Sequence, residues 1–150
     1  MNDQIKIIAT NRKAGFEYFL LDRFEAGLAL KGSEIKSVRA GQVSLAEAYV
    51  RVDDDHGAYL VEAHIAPYEQ ASSLNHDPKR IRRILLHKKE IREIWNAVRQ
   101  KGVSVVPVRM YLKNGKAKLE IAIGKGKKLY DKRESIAKRD SKRDQEREGR

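Results

Sequence analysis

The stretch Val103-Ser104-Val105-Val106-Pro107-Val108-Arg109-Met110-Tyr111-Leu112-Lys113-Asn114-Gly115-Lys116-Ala117-Lys118-Leu119-Glu120-Ile121-Ala122-Ile123 decides the fold class. Two apolar, β-branched runs flank Asn114-Gly115, the dipeptide that best tolerates the positive φ angles of a tight hairpin turn. A β-hairpin is therefore predicted here, with Pro107 at an edge or a bulge because proline cannot donate to a ladder.

Working back towards the N-terminus, Ile5 to Thr10, Tyr18 to Leu21 and Phe24 to Leu30 read as further strands. Ser33 to Arg39 offers an N-cap serine, Ile35 and Val38 three apart, and a stop at Gly41, which predicts a short helix. Val43 to Leu45, Ala48 to Val52 and Tyr59 to Ile65 are strand-like, the last two joined by a hairpin loop over residues 53–57. From Pro78 the spacing turns helical: Ile91, Ile94, Trp95 and Val98 share one face, and Gly102 is the stop, so an amphipathic helix is expected from about His87 to Lys101. Phe16, Tyr18, Phe19, Phe24, Trp95 and Tyr111 lie in apolar patterns and are expected in the core. Short antiparallel strands around one main helix predict a mainly β protein with about three helices: a small closed antiparallel barrel of the oligonucleotide-binding kind.

The last 26 residues break this pattern, with 11 Lys/Arg against 6 Asp/Glu and almost nothing apolar. Such a segment cannot offset its ordering entropy by burial, so the expected organisation is a body over 1–124 and a basic tail over 125–150, disordered alone. Pairs such as Glu134 with Lys138 and Asp140 with Arg143 fit a helix that forms only on a partner. The formal charge of +11 is shared between body and tail, which suits an extended polyanion touched by both.

Absence of cysteine removes disulfide and thiolate chemistry and suits a reducing compartment. The N-terminus lacks the positive charge of a signal peptide, and no apolar run approaches the ~20 residues of a membrane span, so a cytoplasmic protein without a membrane partner is expected. Asp53-Asp54-Asp55-His56 invites a metal-site reading, but adjacent acids on an extended chain diverge, and Gly57 marks a solvated hairpin tip. No serine sits in a nucleophile elbow, and Gly124-Lys125-Gly126-Lys127 lacks the Ser/Thr of a phosphate loop. No catalytic residue, metal or cofactor is assigned.

The stronger signal is the basic block over residues 79–89, which holds Lys79, Arg80, Arg82 and Arg83 among six Lys/Arg and contains no acid. A solvated helix face normally interleaves acids, so phosphate contact is the preferred reading. Tyr130, isolated among Lys125, Lys127, Lys128, Lys132 and Arg133, suits base stacking with flanking phosphate contacts.

Four blocks in order then match a known family. These are Phe24-Glu25-Ala26-Gly27-Leu28-Ala29-Leu30-Lys31-Gly32-Ser33-Glu34-Ile35-Lys36-Ser37-Val38-Arg39-Ala40-Gly41, residues 78–87, the Tyr111 to Gly115 turn, and residues 124–133. Through them the chain resembles the SsrA-binding (small protein B) family over essentially its whole length. The resemblance implies an adaptor, not an enzyme, that binds the tRNA-like domain of transfer-messenger RNA and accompanies it, with elongation factor Tu and GTP, to stalled ribosomes in trans-translation. Carried over by position, it implies RNA contacts at Asn11 (with Arg12 and Lys13 beside it), Glu25, Leu85 and Lys118. It places Gly126, Lys127, Lys128, Tyr130, Asp131, Lys132 and Arg133 near the small-subunit decoding centre, with the rest of the tail in the mRNA channel. A monomer is expected. A permanent ribosomal or ribosome-assembly protein is one alternative, and a metal-dependent RNA-processing enzyme using residues 53–55 is another.

Overall fold

The computed structural model describes residues 4–53, 55, 57–68 and 75–127. Its elements are β1 (Ile5–Thr10), α1 (Arg12–Glu17), β2 (Tyr18–Leu28), α2 (Gly32–Arg39), β3 (Val43–Ser44), β4 (Tyr49–Val52), β5 (Ala58–Val61), β6 (His64–Ile65), β7 (Arg82–Leu85), α3 (Lys88–Val98), β8 (Val103–Lys113) and β9 (Lys116–Gly126).

The β8–β9 hairpin forms as its sequence predicts. Asn114 and Gly115 take φ angles of 52° and 81°, the left-handed pair that matches the twist of two antiparallel strands. Lys113 pairs with Lys116 and Leu112 with Ala117, a register that turns Leu119, Ile121 and Ile123 inward and Lys116, Lys118 and Glu120 outward. Pro107 lies not on an edge but in the interior strand β8, between β1 and β9. The ladder accommodates it by a register shift between Pro107 and Arg109.

Seven antiparallel strands run in the order β1-β8-β9-β2-β7-β5-β4, and β3 pairs with β6 in a separate two-stranded sheet. Among the described residues β1 and β4 share no ladder, so the large sheet is open at its ends where a closed barrel was expected. The curled sheet instead packs on itself with β4 across β8, while β1 lies against β3 of the small sheet and α3 against β8, β4 and β9. Ile94, fully buried on α3, joins Leu60, Ile84, Met110, Leu119 and Ile121 in one core.

Four local departures have physical causes. The two strands expected over Tyr18 to Leu30 are one, β2, with an irregularity between Leu20 and Arg23 that leaves Leu21 exposed. The strand expected from Tyr59 to Ile65 breaks at Glu62, whose φ of 62° sends β5 and β6 into different sheets. Residues 82–85 form the strand β7, too short for its alternation to be distinguished from helical spacing. Helix α1 buries only Ala14 and therefore had no apolar stripe to announce it.

Phe24 and Tyr111 are buried, but Phe16 is 79% and Phe19 39% exposed, so those two are not core residues. The N-cap of α2 is Lys31, not Ser33. Glu34 accepts from the Lys31 amide at 2.8 Å, while the Ser33 hydroxyl faces His76 Nδ1 at 2.8 Å. The last strand of the body reaches Gly126, two residues beyond the expected boundary at 124.

Candidate nucleic-acid interface

The outer face of the sheet collects residues that are far apart in sequence. Gly27 on β2 pairs with Leu85 on β7 and with Lys118 on β9, and Lys118 pairs with Tyr111 on β8. Alternation turns all four to the same side. Beside this row α2 forms a wall, and between wall and sheet lies a groove of about 460 Å³. It is lined by Gly27, Leu28, Leu30, Ile35, Leu85 and Ala117 together with the cations Lys31, Arg39, Lys116 and Lys118. Leu85 is 51% exposed, an aliphatic side chain held open to solvent at the groove.

Glu25 lies two residues from Gly27 on the same face. Its carboxylate accepts a hydrogen bond from the Tyr111 hydroxyl and is approached by Lys113 Nζ at 3.2 Å. The Tyr111 bond holds the Glu25 carboxyl below the usual carboxylate range against its partial desolvation, with Lys113 and Lys118 adding to the effect. Burial first, and Glu25 second, push the Tyr111 hydroxyl far above its ordinary value, so it stays a donor. An acid on a basic surface is thus an oriented acceptor whose charge is balanced by neighbouring cations.

The basic block divides between surface and core. Arg82 is completely buried: its Nε donates to Glu34 Oε2 at 2.6 Å, Nη1 to the Ala63 carbonyl at 2.7 Å and Nη2 to the Pro78 carbonyl at 3.0 Å. The assignment of Arg82 as a phosphate ligand is therefore corrected, since a guanidinium with no exposed surface has no donor to offer RNA. Arg80 also bonds Glu34 and the Ala29 carbonyl, which withdraws much of its donor capacity. Glu34 is itself fully buried; burial raises its carboxyl, but bonds from Arg80, the Lys31 amide and Arg82 outweigh that and hold it below the usual range. Burial depresses the Arg82 guanidinium while Glu34 opposes it, and the pair remains ionised. Lys79 meets Glu62 at 3.4 Å on the surface. Arg83 points outward, paired across strands with Tyr59, whose ring is covered by Arg51 at 5.0 Å.

Asn11 occupies a different corner. It is buried, donating through its side-chain amide to the Pro107 carbonyl at 2.9 Å and through its backbone to the Val108 carbonyl at 2.8 Å, which fastens the chain to the β8 bulge. Its Oδ1 has no partner among the described residues. A cleft of about 300 Å³ runs from Asn11, Arg12 and Lys13 to residues 43–46, apart from the groove. Arg12 is exposed, and Lys13 meets Glu47 at 3.3 Å.

At the far end of β9, the Gly126 amide bonds the Gly102 carbonyl. Lys127 Nζ donates to the Gly15 carbonyl at 2.9 Å and sits 5.0 Å from the Phe19 ring. Lys128, Tyr130, Asp131, Lys132 and Arg133 lie outside the described residues, as do Asp54 and His56 of the acidic turn. Of that turn, Asp53 pairs with Arg51 at 3.1 Å and Asp55 accepts from the Gly57 amide at 3.1 Å. Among the described residues no group of three histidine, aspartate or glutamate side chains is arranged to hold a metal ion. None of the described helices is long and apolar enough to cross a membrane.

The structure thus brings Glu25, Leu85 and Lys118 to one face and leaves Asn11 to Lys13 at another. The groove is also lined by Lys31, Arg39 and Lys116, which sequence reading did not single out. Period two in Lys116 and Lys118 was a usable signal; for Lys31 and Arg39 only the folded wall of α2 shows their common direction.

The sequence model of the SmpB family, described as SmpB protein, matches residues 8–150. Among curated relatives, the SsrA-binding protein of Roseiflexus sp. (strain RS-1) is 52% identical over 147 residues, spanning 97% of this chain and 92% of the relative. That of Desulforudis audaxviator (strain MP104C) is 49% identical over 139 residues, spanning 93% and 90%. A chain of the solved structure described as "tmRNA-SmpB: a journey to the center of the bacterial ribosome" superposes with a TM-score of 0.65 at 43% identity, covering 78% of this chain and 82% of that one.

Proposed function

The chain belongs to the SmpB protein family, and from that premise we propose that it is an RNA-binding adaptor of trans-translation. It holds the tRNA-like domain of transfer-messenger RNA and brings it, with elongation factor Tu and GTP, to ribosomes stalled without a usable codon. The observation that carries this reading is the match over residues 8–150, which spans both the grooved sheet face and the basic tail. The adaptor acts as a cytoplasmic monomer and performs no bond chemistry of its own.

Two surfaces divide the work. On the body, which we read as the family's oligonucleotide-binding barrel with the β3–β6 sheet closing its open side, Glu25, Leu85 and Lys118 meet the RNA. Exposed Arg83, and Arg12 and Lys13 beside Asn11, add phosphate contacts; such contacts position RNA, while acceptors such as Glu25 read base edges. The tail from Gly126 and Lys127 through Lys128, Tyr130, Asp131, Lys132 and Arg133 addresses the decoding centre, and its remainder takes helical form in the mRNA channel. Resident mRNA excludes the tail sterically and by charge, so an empty channel is the signal.

A truncation after Lys127 tests the division, because it spares the whole of β9. The truncated protein is expected to bind the tRNA-like domain within a few fold of the full chain and to lose peptide tagging on stalled ribosomes. Equal loss of both activities would refute the two-surface reading.

A further inference from the structure

We propose that Phe16, beside Phe19, is a dock for Tyr130 of this chain's own tail, which stores that residue on the body until a stalled ribosome takes it. This rests on the reading of Tyr130 as a decoding-centre residue and adds to it how Tyr130 is held beforehand. Phe16 is 79% exposed, the most open of the large apolar side chains described, and α1 buries only Ala14, so the body itself makes little use of that ring. With Phe19 it forms a small apolar patch at the corner where the chain leaves the sheet.

The tail meets this corner first. The Gly126 amide is tied to the Gly102 carbonyl, and Lys127 lies against the body, its Nζ on the Gly15 carbonyl and over the Phe19 ring. Strand β9 ends at Gly126, and Lys127 is already helical. On a helix the residue three along shares the face of Lys127, about 5 Å away, and that residue is Tyr130; Leu129 falls on the far side. Tyr130 is thereby set towards Phe16, where two rings pack edge to face. Charge favours the tail over an RNA base as the occupant. Glu17, next to Phe16, is exposed and forms no salt bridge among the described residues, so a phosphate would meet a bare carboxylate where the tail brings Lys128, Lys132 and Arg133.

The test uses the full chain with carbon-labelled tyrosine rings, the variant Phe16→Ser, and Phe16→Tyr, which keeps a ring. The Tyr130 signal is assigned by its loss in Tyr130→Ala. In the free wild type the Tyr130 ring is expected to show nuclear Overhauser contacts to Phe16 and shifts displaced from those of an unfolded chain. Phe16→Ser is expected to abolish both and Phe16→Tyr to keep the displaced shifts. Neither should move the melting temperature by more than about 2 °C, because so little of the ring is buried. A dock filled about 90% of the time lowers the apparent affinity for a stalled ribosome about tenfold, so Phe16→Ser is expected to bind stalled ribosomes about tenfold more tightly than the wild type.

Unfolded-chain shifts for Tyr130 in the wild type would overturn the dock. Contacts that appear only as protein concentration rises would also overturn it and assign the patch to a second copy. Weaker ribosome binding by Phe16→Ser would overturn it in favour of ribosomal RNA on the ring, and a large fall in its melting temperature in favour of a structural role. The NMR arm does not depend on ribosome rescue. If Tyr130 rests on Phe16 but the wild-type chain does not bind stalled ribosomes, the dock stands and the reading of function fails; a free Tyr130 in a chain that does bind them overturns the dock alone.

Discussion

Replacing Glu34 by glutamine isolates the contribution of the buried ion pair that joins α2 to β7, the two elements that supply Arg39 and Leu85 to the groove. Glutamine keeps the shape and can still accept from the Lys31 amide, but it leaves Arg82 charged, fully buried and without a counter-ion. Breaking a buried pair in this way costs about 3–5 kcal/mol. At about 2–4 °C per kcal/mol for a chain of this size, the melting temperature should fall by about 6–20 °C. Arg82→Met should cost a comparable amount, since it also removes the 2.7 Å donor to the Ala63 carbonyl, worth about 1–3 kcal/mol. The double variant should lose less than the sum of the singles, by about 1–3 kcal/mol, because Glu34→Gln alone leaves the Arg82 charge stranded, whereas with Arg82 also replaced no buried guanidinium remains.

The pH dependence has a definite sign. Glu34 has a folded value below its unfolded one, so its stabilisation is fully present above about pH 4.3, is lost as pH falls through the lower folded value, and is missing at all pH in Glu34→Gln. Thermal melts at pH 7 and at pH 3–5 read all of this. A fall of under 2 °C in Glu34→Gln, or additive effects in the double variant, would refute the buried ionised pair. Loss of RNA affinity in Arg82→Met without loss of stability would return Arg82 to the surface as a phosphate ligand.

Tyr111→Phe removes the main donor to Glu25 and should let its carboxyl titrate upward towards the ordinary range, with a stability loss of about 1 kcal/mol; carbon NMR of the carboxyl checks the direction, and an unmoved titration would count against the bond. Asn11→Asp should destabilise more than Asn11→Ala, because it sets a carboxylate against the Pro107 carbonyl where the alanine only removes a donor; urea unfolding orders the two. Gly115→Ala forces a side chain into a φ of 81° and should cost about 1–2 kcal/mol in the same assay, whereas a neutral result would mean that the turn can relax.

Much of this protein was legible locally. Asn114-Gly115 specified the hairpin because only such residues take two successive left-handed conformations cheaply, and β1, α2 and α3 followed from period and stop signals within one or two turns of chain. Spaced blocks in a fixed order pointed to the family. The tail's charge and poverty of apolar residues set it apart in the sequence alone, and residues 128–150 lie outside the described ones.

What tertiary structure decided were matters of partner. Whether an arginine in a basic run faces RNA or the core is not written in the run: Arg82 is withdrawn by a glutamate 48 residues earlier, while Arg83 is left outside by the alternation of a strand four residues long. Pro107 is tolerated inside the sheet because a bulge meets an asparagine 96 residues away. The groove draws its walls from α2, β2, β7 and β9, and its cations acquire a common direction only when those elements meet. Periodicity and turn chemistry report energies within a few residues of the chain, whereas desolvating a charge is decided by whatever folds on top of it.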